Sequence, residues 1–192
     1  HAHGAPAATS PSIPSRLHAD ALWRLGYRGK GVRVGVFDTG LAPAARGQLP
    51  TVEEITNWTD EDDATDTVGH GTFVASVIGA AASPAAGNGA CRGLAPEAAL
   101  DIFKVFNSKQ LSYTSWFLDA FDYVLSRRRV HVINLSIGGP DSADAPFLAK
   151  VDAVVAQLQV AMLDFLRLEE RRKLKRDKER EKKERLKAEG KL

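Results

Sequence analysis

Asp38 closes an apolar run, Val-Arg-Val-Gly-Val-Phe-Asp-Thr-Gly over 32–40, and His70 opens another inside Gly-His-Gly-Thr over 69–72. A carboxylate and an imidazole can share the handling of one proton. The carboxylate fixes the ring's tautomer and stabilises the imidazolium that forms when the ring takes a proton from a nucleophile. Glycines on both sides of His70 let other groups approach the ring closely. Taken singly, an Asp before Gly at a strand end commonly makes a turn, and a His at a helix start commonly makes a local hydrogen bond. Together, 32 residues apart, they form a candidate pair facing one crevice.

The elements around them must bring the pair together. Residues 32–37 read as a strand, 70–82 as a helix rich in small residues, 99–106 as a strand, 114–127 as a helix capped by the hydroxyl of Thr114 or Ser112, and 130–139 as another strand. Strand and helix alternate with short connections, the pattern of a parallel sheet covered by helices. In such sheets, reactive groups collect outside the carboxyl ends of the strands, where Asp38 sits. Leu17–Leu25 reads as a short helix leading into the core and stopped by Gly26, while Glu53–Asp66 reads as an acidic loop. His1–Pro14, rich in Ala, Pro and Ser, reads as disordered.

The chain's 192 residues, 44% hydrophobic and 26% charged, suffice for one domain with appendages. Its net charge of +2 conceals an asymmetry: residues 167–192 hold 13 Lys/Arg against 7 Asp/Glu, the first 166 hold 13 against 17. The favourable i,i+4 pairs Glu169→Lys173, Glu179→Lys183 and Glu181→Arg185 predict a long solvated helix starting between Pro146 and Lys150. Its leucines keep no heptad, so no coiled coil is expected; its 13 cations could meet nucleic acid or an acidic membrane, but interleaved acids blunt that field, so a solvated helix is expected ahead of a binding surface and no nucleic-acid partner is expected. No stretch reaches about 18 uninterrupted apolar residues, so no membrane span is expected. The chain opens on His1 and its one methionine is Met162, so an upstream leader or pro-segment is expected although no targeting signal is visible. Cys91 is alone and can form no internal disulfide, and Asn57-Trp58-Thr59 is a glycosylation sequon consistent with a secretory route. Asp38-Thr39-Gly40 also suits an aspartic protease in which two carboxylates share a proton, but that leaves Gly-His-Gly-Thr unexplained. A dinucleotide-binding domain would need Gly-x-Gly-x-x-Gly after its first strand, which residues 38–43 do not supply.

VRVGVFDTG, GHGTFVASVIG and VINLSIGGP resemble the Asp, His and substrate-strand segments of the subtilisin-like serine proteases, in that family's chain order. ADALWRLGYRGKGVRVGVFDTGL, NWTDE and IFKVFNSKQLSYTSWFLDAFDYVL are similar to its site-1 protease branch, and the likeness extends over roughly Leu17–Val155. The resemblance implies a three-layer parallel sheet of the subtilisin type, truncated, followed by the long charged helix. It divides the chain into a disordered 1–16, a partial catalytic domain over 17–160 and a charged helical tail over 161–192. It implies that Asp38 orients the base, that His70 is the base, and that Ser136, Ile137 and Gly138 pair with an extended polypeptide substrate. It further implies residence in the secretory pathway and, in the parent activity, cleavage of proteins such as membrane-bound transcription factor precursors. Calcium accompanies many members, but no ligand cluster is assignable, so neither metal nor cofactor is expected.

The pattern breaks after about Val160. No Asn-containing loop and no Gly-Thr-Ser element follow, and Asn134 lies in the substrate strand, so it is not the oxyanion donor. Two triad members are therefore expected without the nucleophile or its side-chain oxyanion donor. The expected function is a serine endopeptidase fragment, inactive alone. The alternative is a pseudoprotease or a fragment that binds a peptide or partner.

Overall fold

Side chains alternate between the faces of a strand, so a run that is apolar at nearly every position needs cover on both. Two such runs build the centre of this protein. In the computed structural model, which describes residues 13–81, 92–138 and 144–189, they are β1 (Arg33–Asp38) and β3 (Ala99–Lys104). β2 (Val52–Asn57) pairs with β3 and β4 (Val132–Leu135) with β1. The sheet order is β2-β3-β1-β4 and every pairing is parallel, with Asp38 level with Lys104 and Phe37 level with Leu135.

Each face is closed by a different kind of helix. Val34, Val36, Leu100 and Ile102 face α3 (His70–Gly79), which buries Gly71, Ala75 and Gly79 and so lies close to the sheet. Phe37 and Phe103 stack at 4.6 Å on the opposite face, against α4 (Thr114–Arg127). Phe117, Ala120, Phe121 and Val124 of α4 recur at i, i+3, i+4 and i+7, the stripe of a helix laid on a core. Full burial of one such aromatic contributes about 1.5–3 kcal/mol. This is the expected three-layer α/β architecture.

Several local expectations change. β2 occupies part of the expected acidic loop, because its carboxylates have partners: Arg33 bonds Glu53, and Arg129 and Tyr123 bond Glu54. Arg33 also donates to Asp101 at 2.7 Å, and burial pushes that carboxyl above its ordinary range although Arg33 and Arg129 oppose it. The expected 17–25 helix is shorter, α2 (Ala19–Arg24), after α1 (Ile13–Arg16). It does not enter the core, since Leu17, Leu22 and Leu25 are exposed and Ala19 is the residue it buries. Of the segment expected to be disordered, residues 1–12 lie outside the described residues, and Ile13–Arg16 is helical. Neither hydroxyl caps α4: Tyr113 holds the cap position, Ser112 donates to the Val105 carbonyl, and Thr114 donates to Asp144.

The final helix, α5 (Ala145–Ala188), crosses position 160 without a break. Asp144 caps it by accepting the Phe147 N–H at 3.0 Å. Its first turns dock on α4: Phe147 lies edge-on to Phe117 at 5.4 Å, Lys150 pairs with Asp122, Val154 is buried and Gln157 donates to the Leu125 carbonyl. One 18-residue window within α5 has a mean hydropathy of 1.3, enough by length and composition to cross a bilayer, whereas the sequence reading expected no such segment. Farther along, Arg180–Glu184 and Arg185–Glu189 are ion pairs in the less favourable order along the helix.

Such exposed pairs contribute roughly 0.2–0.5 kcal/mol each, so packing rather than charge sets the helix's local stability. Hydrogen exchange followed by mass spectrometry is expected to show strong protection over Phe147–Leu158, falling by about an order of magnitude or more beyond Leu168. Uniform protection out to Lys187 would contradict this gradient.

Candidate active site

The strand-to-helix step after β1 brings the first pair together. Asp38 is buried at the carboxyl end of β1, and His70 is the first residue of α3 with its side chain half exposed. His70 Nδ1 lies 2.7 Å from Asp38 Oδ1. The same oxygen accepts the Thr39 N–H at 2.8 Å, while Oδ2 is buried without a hydrogen bond. With a carboxylate as acceptor, the ring proton belongs on Nδ1 and the lone pair on Nε2. That tautomer can accept a proton at Nε2 while keeping its hydrogen bond to Asp38.

Glycines allow so close an approach. A Cβ on Gly71 would stand 2.5 Å from the Gly40 carbonyl oxygen and 3.1 Å from Asp38 Cβ. Gly40 has φ +105°, and a Cβ there would meet the Ala64 oxygen at 2.2 Å.

Asp66, which the sequence reading left in an acidic loop, fastens the joint. Its Oδ1 accepts from the Thr39 hydroxyl at 2.9 Å and from the N–H groups of Val68 and Gly69 at 3.0 and 2.7 Å. Its Oδ2 accepts from the Thr72 N–H at 2.8 Å and the Thr72 hydroxyl at 2.6 Å. Thr39 Oγ1 in turn accepts the Gly71 N–H at 2.9 Å, and Thr72 Oγ1 accepts the Ala42 N–H at 2.9 Å. One buried carboxylate thus ties the turn after β1 to the start of α3, where the helix dipole favours negative charge. Burial pushes the Asp66 carboxyl up, but the Thr72, Gly69 and Thr39 donors outweigh it and leave it below the usual range. The available sequence signal was an Asp three residues before the glycine that opens a helix.

A second clamp lies beside it. Lys104, buried at the end of β3, donates to the Thr65 carbonyl at 2.6 Å and pairs with Glu61 at 2.8 Å. Bonded by Lys104 and by Ser108, the Glu61 carboxyl is held down to about 2. Both clamps hold the 58–66 segment under the crevice.

The three expected substrate-strand residues lie beyond the strand itself. β4 ends at Leu135, so Ser136, Ile137 and Gly138 follow it as irregular chain. Since Leu135 pairs with Phe37, Ser136 comes one step later on the strand beside Asp38, at the same sheet end. Ser136 donates to Asn134 Oδ1 at 3.0 Å, Ile137 leans on the aromatic core, and Gly138 is exposed. Among the described residues no three His, Cys, Asp or Glu side chains converge to hold a metal ion.

A family model described as "Subtilase family" matches residues 29–164. The human protein "Membrane-bound transcription factor site-1 protease" is 50% identical over 139 residues, 72% of this chain and 12% of that protein. "Subtilisin-like protease SBT6.1" of Arabidopsis thaliana is 45% identical over 149 residues, 78% of this chain and 14% of that protein. "Major intracellular serine protease" of Bacillus subtilis is 35% identical over 138 residues, 69% of this chain and 41% of that protein. The chain therefore spans less than half the length of each of these relatives.

Replacing Asp66 with Asn removes the charge while preserving shape, leaving one donor facing donors. It is expected to lower stability by about 1.5–3 kcal/mol at neutral pH, the range for hydrogen bonds to a charged group. Because the folded carboxyl titrates below its unfolded value, near 3.8, its contribution is complete above that pH and is lost as pH falls through the folded value. Urea unfolding of the two proteins should therefore give a gap that is constant above about pH 5 and narrows below pH 3.8. A gap independent of pH would show that Asp66 contributes by packing alone. Gly71→Ala, which forces α3 off the end of β1, is expected to cost about 1–3 kcal/mol and to abolish the imidazole's hydrogen-bonded Nδ1 proton signal in NMR spectra.

Proposed function

The chain belongs to the subtilase family, and we propose that it carries the proton-handling and substrate-strand portion of a serine-type endopeptidase. The observation that supports this most directly is the 2.7 Å contact between His70 Nδ1 and Asp38 Oδ1. In this reading Asp38 orients the ring, and His70 Nε2 takes the proton of a nucleophilic hydroxyl as that oxygen attacks a peptide carbonyl. The resulting imidazolium is stabilised by Asp38 and later returns the proton to the leaving amine. Ser136, Ile137 and Gly138 offer backbone donors and acceptors to an extended polypeptide beside them.

The nucleophile is the missing part. We read the 192 residues as holding no serine in the nucleophile's setting and no side-chain donor for the oxyanion, so this chain does not turn over by itself. The parent activity we assign is cleavage of secretory-pathway proteins, membrane-bound transcription factor precursors among them. What supports it is the likeness to the site-1 protease, whose name couples it to such a factor. A second reading, a pseudoprotease that binds peptide without cutting it, is supported by β4 standing at the sheet edge among the described residues, open to one more strand.

Loss of the nucleophile from a triad of this kind costs on the order of 10⁶ in kcat. Purified chain is therefore expected to give no fluorophosphonate adduct and no measurable peptide hydrolysis. Labelling at one serine that disappears in His70→Ala would overturn the inactive reading and show that a serine here has taken the nucleophile's place. Binding of an extended peptide without cleavage, measured by fluorescence anisotropy, would favour the second reading over an inert fragment.

A further inference from the structure

A cleft of about 1060 Å³ opens between the turn leading into β1, residues Gly26–Val32, and the stretch of α5 from Leu166 to Arg176. Arg28, Lys30, Arg172, Lys173 and Arg176 line it, with Glu170 the one carboxylate among the described lining residues. Arg28 also stands 3.9 Å from Glu97, too long to neutralise it fully. The rest of the wall is apolar, with Tyr27 and Leu166 among its residues.

The same helix carries an exposed apolar stripe. Leu148, Val155, Met162 and Leu166 are spaced by seven, seven and four residues, which sets them along one side of α5. They are 49%, 45%, 38% and 50% exposed. The docked residues, Phe147, Val151, Val154 and Leu158, occupy the neighbouring side toward α4. Leu166 belongs to both the stripe and the cleft, so apolar surface and positive charge are continuous. Beyond them the tail from 167 onward carries 13 cations against 7 acids.

We propose that this surface docks on an anionic bilayer, with lipid phosphate in the cleft and the stripe of α5 lying in the headgroup region. Charge complementarity selects the occupant: a helix with apolar residues on one side and cations beside them gains from acyl-chain contact and from anionic headgroups together. Lying on the membrane fits better than crossing it. A spanning α5 would have to surrender Val154's burial, the Lys150–Asp122 pair and the Gln157 hydrogen bond, and would carry Lys150 and Asp152 into hydrocarbon. The surface is separate from Asp38 and His70, and the inference does not rest on the proposed proteolytic role.

The test is co-sedimentation of the full chain with vesicles of phosphatidylcholine alone and with added phosphatidylserine. Binding is expected only when phosphatidylserine is present, and should weaken as salt rises. The triple charge reversal Lys30→Glu, Lys173→Glu, Arg176→Glu alters exposed side chains, leaves the packed face of α5 intact, and is expected to weaken partitioning at least tenfold, since each surface cation is worth about fivefold. Leu148→Ser with Val155→Ser should weaken it at constant charge, with the helical circular dichroism of each variant matching the parent. Equal binding to neutral vesicles, no vesicle binding at all, or partitioning indifferent to the charge reversal would each overturn the proposal. So would binding of free inositol hexakisphosphate with no binding of vesicles, which would make the cleft a site for soluble anions.

Discussion

The contact between His70 and Asp38 depends on how tightly α3 is held to the end of β1, and that hold is the work of Asp66. Its five hydrogen bonds reach Thr39 on one side of the joint and Val68, Gly69 and Thr72 on the other. A buried carboxylate is costly unless it is bonded on both oxygens, and here both are. The geometry that satisfies Asp66 is therefore also the geometry that sets His70 against Asp38. Gly71 and Gly40 remove the steric obstacle but provide no attraction of their own. Directionality comes from the carboxylate, and permission from the glycines.

Asp38 and Asp66 are both buried at the same joint, but they are satisfied differently. Asp66 is saturated by local donors, whereas Asp38 bonds through one oxygen to Thr39 and His70 and leaves the other without a partner. Asp38 stands against a half-exposed imidazole, where a carboxylate can stabilise charge on the ring, whereas Asp66 has both oxygens committed to the joint. The ionic assembly of Arg33, Asp101, Arg129 and Glu54 lies elsewhere along the strands, where it joins β1, β2 and β3.

What the sequence disclosed follows from which forces are local. The central strands, α3, α4 and the Asp38–His70 pair were legible because apolar runs and glycine-flanked polar residues announce themselves without knowledge of the rest of the fold. β2 was not, because Glu53 and Glu54 look like loop residues until Arg33 and Arg129, distant in sequence, are placed beside them. The 17–25 segment erred in the other direction: its apolar residues have helical spacing, but Leu17, Leu22 and Leu25 stay exposed. The cap of α4 misled because Ser112 and Thr114 spend their hydroxyls on Val105 and Asp144, partners that only the tertiary structure supplies. Asp66 was missed for the same reason, since only one of its two sides, the start of α3, is close in sequence.

The bond between Thr114 and Asp144 has a further consequence for how the last helix relates to the site. Asp144 uses one oxygen to cap α5 and the other to receive the hydroxyl at the start of α4. The two helices are thus fastened near their N-termini, and Phe147 then packs against both Phe117 and Phe121. Phe121 in turn lies 5.0 Å from Phe37, the residue before Asp38. A continuous aromatic contact therefore joins the first turn of α5 to the strand that carries the carboxylate. Past Leu158 that continuity ends, and the next part of α5, with Leu166 and Leu168 followed by Arg172, Lys173 and Arg176, lines an open cleft opposite the glycine turn before β1. Two parts of one uninterrupted helix thereby obey different physics: the first is a piece of the core, fixed by packing, and the second is a charged surface on which cations outnumber acids and whose exposed ion pairs are weakened by salt.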